Sequence, residues 1–305
     1  MMQNFCYRVL LIGCMTGVIL SCSSSSFSPA LNSSAKALPD YSRTPILFIH
    51  GSGLDSKTWK PMIEHLVSTG YPTEYLSAID LIPNDGSNVR AASEMIAPAV
   101  ESLLTQTQVA ANRAGFKGKR SQEVDLVSHS MGAVSSRWYI AKLKPERVRT
   151  WIAIAGANHG TNAICPFPSD GNSEICPAFA TSSTKNPLQI ALNGTPTAPV
   201  DETPYGLGRD HARVKSILPN RTRRILYFTV RIEPDRWIKP ENSAVIDGAG
   251  GAAIAIPAGV PVKETSPGNY LFQAQVDHDP LPQHPDLIRF VTALLTTPHP
   301  QEVPL

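Results

Sequence analysis

The chain has 305 residues, 42% hydrophobic and 17% charged, enough for one large α/β domain or two small ones. A formal net charge of +2 is too small to point to nucleic acid or an anionic surface as the main partner. Twenty-seven prolines, concentrated after residue 145, favour long ordered loops over extra helices.

The first residues read as an address rather than as fold. Arg8 is the only charge before the apolar segment Val9–Leu20, which is too short to span a bilayer comfortably and is followed by the small Ser21. Residues 1–21 are therefore an expected export signal. Ile19-Leu20-Ser21-Cys22 also has the form of a bacterial lipobox, in which Cys22 is lipidated and becomes the mature N-terminus. Leu11-Ile12-Gly13-Cys14 fits that form too but leaves too short an apolar core, and an ordinary cleavable signal is the alternative. Residues 22–43, rich in serine and alanine, form a tether before a domain at 44–297, and 298–305 form a tail.

Pro45–Gly51 is an apolar run ending in glycine and predicts a buried parallel strand. Trp59–Ser68 has helical spacing, with Thr58 as a candidate cap and Gly70 as the stop. Thr73–Asp80 predicts a strand, Ala91–Arg113 a long helix ended by Gly115, Val124–Ser128 a strand and Gly132–Leu143 a helix halted before Pro145. Val148–Gly156, Arg223–Ile232 and Asn269–Val276 follow as strands, and Pro285–Leu295 closes as a helix. Strands apolar on both faces alternating with helices indicate an α/β fold, a mostly parallel sheet covered on both sides.

Ligands in such sheets sit beyond the strands' carboxyl ends. His50-Gly51, Ser128–Gly132, Ala157–Thr161, Glu233–Asp235 and Asp277–His278 all fall there. Two segments, about 161–222 and 238–268, lack periodicity and predict long loop insertions over the site. Cys165 and Cys176 form an even pair that predicts a disulfide in an exported chain, closing a loop worth roughly 3 kcal/mol. Zinc ligation by the pair lacks a second Cys/His pair at the right spacing.

Ser128-His129-Ser130-Met131-Gly132 follows a strand and opens a helix, the context of a nucleophile elbow. Such a turn needs small residues two before and two after its centre, because strand and helix backbones approach closely. Ser130 is then the nucleophile, with Ser128 and Gly132 as packing residues; a helix N-cap serine is the blander reading.

SHSMGA at 128–133, HGSG at 50–53 and IAGANHGT at 154–161 together resemble bacterial lipases of the α/β-hydrolase fold, in particular the small secreted, class 2-like lipase and esterase group. The resemblance covers residues 44–160 and, more loosely, 223–295. It implies the chain order serine, acid, histidine. His278, between a late strand and the final helix, matches the family's base, with His284 as runner-up. Asp235 matches the family's acid, with Glu233 two residues nearer the strand and Asp247 further off. The backbone N–H groups of Ser52 and Met131 match the oxyanion hole. His129 and the His159 segment match residues that wall the site.

A rival reading of Asp277–Asp286 is a metal site built from Asp277, His278, Asp279 and His284, which the prolines and the separate serine elbow disfavour. The expectation is an exported, lipid-anchored serine ester hydrolase acting on a lipid or small ester, with no metal, cofactor or nucleic acid. Polyester depolymerase, acyltransferase and a silent surface lipoprotein share the scaffold.

Overall fold

The computed structural model describes residues 37–165, 170–178, 186–195, 198–199, 213–215, 221–246, 254–298 and 303–304. The export signal, Cys22, the tether up to residue 36, much of the 161–222 insertion, His211, Asp247 and His299 lie outside the described residues. The main elements are β1 (Ile46–Ile49), α1 (Lys60–Ser68), β2 (Leu76–Ile79), α2 (Ala97–Arg113), β3 (Val124–His129), α3 (Met131–Lys142), β4 (Val148–Ile154), α4 (Asp170–Glu174), α5 (Pro187–Asn193), β5 (Leu226–Ile232), β6 (Val262–Ser266), β7 (Asn269–Phe272) and α6 (Pro285–Leu295). The seven strands form one sheet in the order β6-β7-β5-β4-β3-β1-β2, parallel throughout except that β6 runs antiparallel to β7.

The unbroken apolar run of β1 follows from burial on both faces. Ile46 and Phe48 pack with Trp59, Met62 and Leu66 around α1 and with Phe290 and Val291 of α6. Leu47 and Ile49 face the other way, onto Val100 and Leu103 of α2 and Tyr139 and Ile140 of α3. All four β1 side chains are fully buried, which contributes about 1.5–3 kcal/mol each by transfer.

Thr58, the candidate cap of α1, is buried instead. Asp55 caps a 3₁₀ turn at Ser56–Trp59 by accepting from the Lys57 N–H at 2.9 Å, and α1 grows from that turn. Gly70, with φ +97°, ends the helix as expected. A π-helical turn at Ala91–Ile96 leads into α2. Only Leu76–Ile79 of the predicted second strand is extended, since Thr73–Tyr75 forms a 3₁₀ turn. Arg221–Arg224 leaves the main sheet to pair with Arg213–Lys215, so β5 starts at Leu226. The segment 238–268, expected as irregular loop, ends in the edge strand β6, whose side chains are mostly exposed and so carry no apolar alternation.

One buried ion pair ties the sheet to the last helix. Asp125 of β3 is fully buried and accepts from Arg149 of β4 through both Nε, at 2.8 Å, and Nη2. Nη2 also donates to the Leu295 carbonyl at the end of α6, at 2.8 Å. Arg149→Met leaves the carboxylate buried without its partner. The expected cost is about 3–5 kcal/mol, read as a lower urea midpoint with an unchanged m-value.

Candidate active site

Ser130 sits between β3 and α3 with φ 53° and ψ −124°, a conformation non-glycine residues rarely adopt. Its own N–H donates to the Ile154 carbonyl of β4 at 2.9 Å. Gly132 shows why glycine is required in the first turn of α3. A Cβ there would lie 2.3 Å from the His50 carbonyl oxygen and 2.7 Å from that of Ile49. The helix therefore starts almost in contact with the end of β1. Ser128 is more than a small packing residue. Ser136 Oγ donates to the Ala133 carbonyl and accepts from Trp151 Nε1 at 2.9 Å, so the Ser128 hydroxyl, 2.8 Å away, donates to it.

Asp235, in the loop after β5, and His278, in the loop after β7, meet here. His278 Nδ1 lies 2.8 Å from Asp235 Oδ2, with both side chains buried. The other carboxylate oxygen accepts from the N–H groups of Trp237 and Ile238, at 2.8 and 3.0 Å. Three donors thus fix the carboxylate, and its bond to Nδ1 leaves Nε2 of His278 buried with no protein partner. The runners-up are placed otherwise. Glu233 is half-exposed and paired with Arg231. His284 caps α6 by accepting from the Asp286 N–H at 3.2 Å, its ring against Phe272. His278 and His284 are thus each engaged outside any shared ligand set.

His129 stacks on His278 with ring centroids 4.6 Å apart, and its Nε2–H donates to the His278 carbonyl at 3.1 Å. Complete burial, followed by electrostatic coupling to the His278 ring, holds its pKa well below the ordinary histidine value. His50, part of the His50-Gly51 cluster expected at this end, has no role assigned to it by the sequence. Its Nδ1 donates to the Gly51 carbonyl at 2.8 Å while Nε2 accepts from the Leu81 N–H at 2.9 Å, which fixes one tautomer. Because C=O and N–H of a trans peptide point in opposite directions, the Ser52 N–H is turned away from His50. Gly51 lets this loop approach Ser130, for its Cβ position lies 2.7 Å from Ser130 Cβ. The His159 ring bonds the Ser243 carbonyl at 2.9 Å, joining the Ala157–Thr161 wall to the loop after β5.

The described part of the first insertion is fastened to the core. Cys165 and Cys176 are joined, with Cα atoms 5.7 Å apart. Glu174 of α4 accepts from the Ser87 hydroxyl and the Asn88 N–H, at the start of the helical run leading into α2. Arg137 of α3, fully buried, donates to the carbonyls of Asn158 and Leu192 and to Asn193 Oδ1. Asn186 caps α5 and binds three carbonyls of residues 173–176.

Residues 43–182 match the family model for lipase (class 2). Over that stretch the chain is similar to class 2 lipases, and its sheet is that of an α/β hydrolase. The match supports a carboxylic-ester hydrolase. Among solved structures, Aspergillus fumigatus lipase B is similar at 14% identity and TM-score 0.51, over 86% of this chain and 55% of that one. Bacillus licheniformis lipase BlEst2 in its propeptide form matches at 16% identity and TM-score 0.50, over 88% and 53%. This chain thus spans about half the length of each, and at such identity the likeness is one of fold.

Gly132→Ala forces a methyl group into two backbone carbonyls. The expected result is about 1–3 kcal/mol of destabilisation in a urea melt, with loss of ester hydrolysis in the fraction that still folds. The lowered His129 pKa sets a second outcome. Below about pH 6.5 the unfolded histidine takes up a proton that the folded one refuses, so stability falls as the pH is lowered. The slope from this group reaches about 1.4 kcal/mol per pH unit, and His129→Gln should flatten the acid side of the stability–pH curve by that amount.

Proposed function

We propose that the lipase hydrolyses its ester by an acyl-enzyme route with Ser130 as nucleophile, His278 as general base and acid, and Asp235 as its orienting carboxylate. The carrying observation is the environment of His278, whose Nδ1 is held by a buried carboxylate while Nε2 is buried and unpartnered. Ser130 Oγ attacks the carbonyl carbon as its proton passes to Nε2, and the carbonyl electron pair moves onto oxygen. The Ser52 and Met131 N–H groups bind that oxyanion. Collapse breaks the ester C–O bond, the alcohol leaves with the proton from Nε2, and water repeats the sequence to release the acid.

The scheme needs no cofactor. His129 supports it in two ways. Neutral itself, it adds no positive charge beside the imidazolium that forms, and its bond to the His278 carbonyl braces the base from behind. The substrate class is a lipid or small ester, in keeping with the family and with the two lipases of similar fold. Export with a lipid on Cys22 is part of the same reading, supported by the sequence of residues 8–22 and by the Cys165–Cys176 pair, a pairing that persists in oxidising compartments.

Hydrolysis of p-nitrophenyl esters of graded chain length tests the reading. Ser130→Ala should abolish turnover at every length without lowering the melting temperature. Asp235→Asn should lower kcat by about 10⁴-fold, through the wrong tautomer of His278. Turnover that survives Ser130→Ala would overturn the assignment, and the length of the best acyl chain reads out the pocket.

A further inference from the structure

The net charge of +2 conceals a separation of charge along the strand axis. The loops entering the parallel strands lie at one edge of the sheet, and the loops leaving them, with the catalytic groups, at the other. At the leaving edge, Asp55, Asp80, Asp85, Asp170, Asp277 and Asp279 lie in the segments beyond the strand ends, alongside Lys57, Arg236 and Lys239. The entering edge is basic. Arg113, Lys117 and Lys119 flank the turn between α2 and β3, and Lys142 ends α3; all four are exposed, with no ion pair among the described residues. The strand Arg213–Lys215, paired with Arg221–Arg224, lays its backbone against Pro145–Arg147 at this edge.

Two further observations fall on the same edge. Of the five large apolar side chains that stand exposed among the described residues, Leu38 (88%), Val109 and Leu143 are here, Val109 near the end of α2 and Leu143 at the end of α3. The chain also joins the body here. The Asp40 N–H bonds the Gly70 carbonyl, and the Tyr41 ring lies 6.5 Å from that of Phe116 in the basic turn. The Arg147 Nη1 bond to the Gln122 carbonyl makes the turns before β3 and β4 one continuous surface.

We infer that this entering edge is a docking face for an anionic phospholipid bilayer, holding the lipase with its active-site mouth turned away from the membrane. Exposed lysines and arginines draw the face to anionic headgroups, and Leu38, Val109 and Leu143 enter the headgroup layer. A chain tethered at residue 37 presents this edge first to the membrane that holds its anchor. The acidic edge is repelled from that surface, so substrate reaches the site from the aqueous side. The choice of a membrane as partner rests on the export-and-anchor reading.

The test uses the full-length chain carrying Cys22→Ser, so that no lipid anchor contributes, and vesicles of phosphatidylglycerol mixed with phosphatidylcholine or of phosphatidylcholine alone. Co-sedimentation should be strong on the anionic vesicles at low salt, be lost at high salt, and exceed any binding to neutral vesicles. Lys117→Glu with Lys119→Glu should weaken anionic binding roughly tenfold or more, while the exposed Lys57→Glu at the opposite edge should not. Hydrolysis of a water-soluble ester should be unchanged in the double variant and in the vesicle-bound protein. Equal binding to neutral vesicles, insensitivity to the double reversal, or inhibition of soluble-ester hydrolysis on binding would each overturn the inference. Fatty-acid labelling of the unmodified chain reports on the anchor separately, and turnover reports on the triad.

Discussion

The site depends on the close crossing of α3 over the carboxyl end of β1. Gly132 leaves no atom between the helix and the carbonyls of Ile49 and His50. A shorter contact than any side chain permits thereby sets where α3 begins. It holds Ser130 at positive φ, with its side chain lifted out of the strand direction. It also sets the distance to the His50–Gly53 loop, which must itself use glycine at 51 to pass Ser130. Two absent methyl groups therefore place Ser130 and the loop side by side. The packed sheet supplies the rigidity, with β3 fully buried between β1 and β4.

Three histidines at the strand tips illustrate how one side chain serves different ends according to its second nitrogen. His278 gives Nδ1 to Asp235 and keeps Nε2 open. His129 spends Nε2–H on the His278 carbonyl and stays neutral through burial. His50 uses both nitrogens on backbone, donating to Gly51 and accepting from Leu81, and so orients a peptide plane. Their positions come from strands β1, β3 and β7, so the sheet order alone sets which loops converge at this end.

The elements with apolar runs or strong helical spacing were legible in the sequence. β1, β3, β4 and α6 fall within a residue or two of expectation, because burial on two faces or on one stripe leaves a clear pattern. The tight turn at Ser130 was legible because its steric demand falls on residue size at fixed offsets. The meeting of Asp235 with His278 agrees with an assignment that came from resemblance, since no local pattern joins residues 43 positions apart. What escaped the sequence has no periodic signature. β6 is an exposed edge strand. The Asp55 cap displaced Thr58 because a 3₁₀ turn precedes α1. The Ser128–Ser136–Trp151 chain and the buried Arg137 depend on tertiary neighbours, and the His50 tautomer depends on a backbone N–H thirty-one residues away. Segregation of charge between two edges is likewise invisible in a net total.

The most direct measurement of the central assignment is covalent trapping with a serine-reactive alkyl phosphonate, followed by mass spectrometry of the peptides. A single adduct on Ser130, slowed strongly by His278→Ala, is the expected result. An adduct on Ser52, Ser128 or another serine, or no adduct on a correctly folded chain, would contradict a catalytic centre at the elbow.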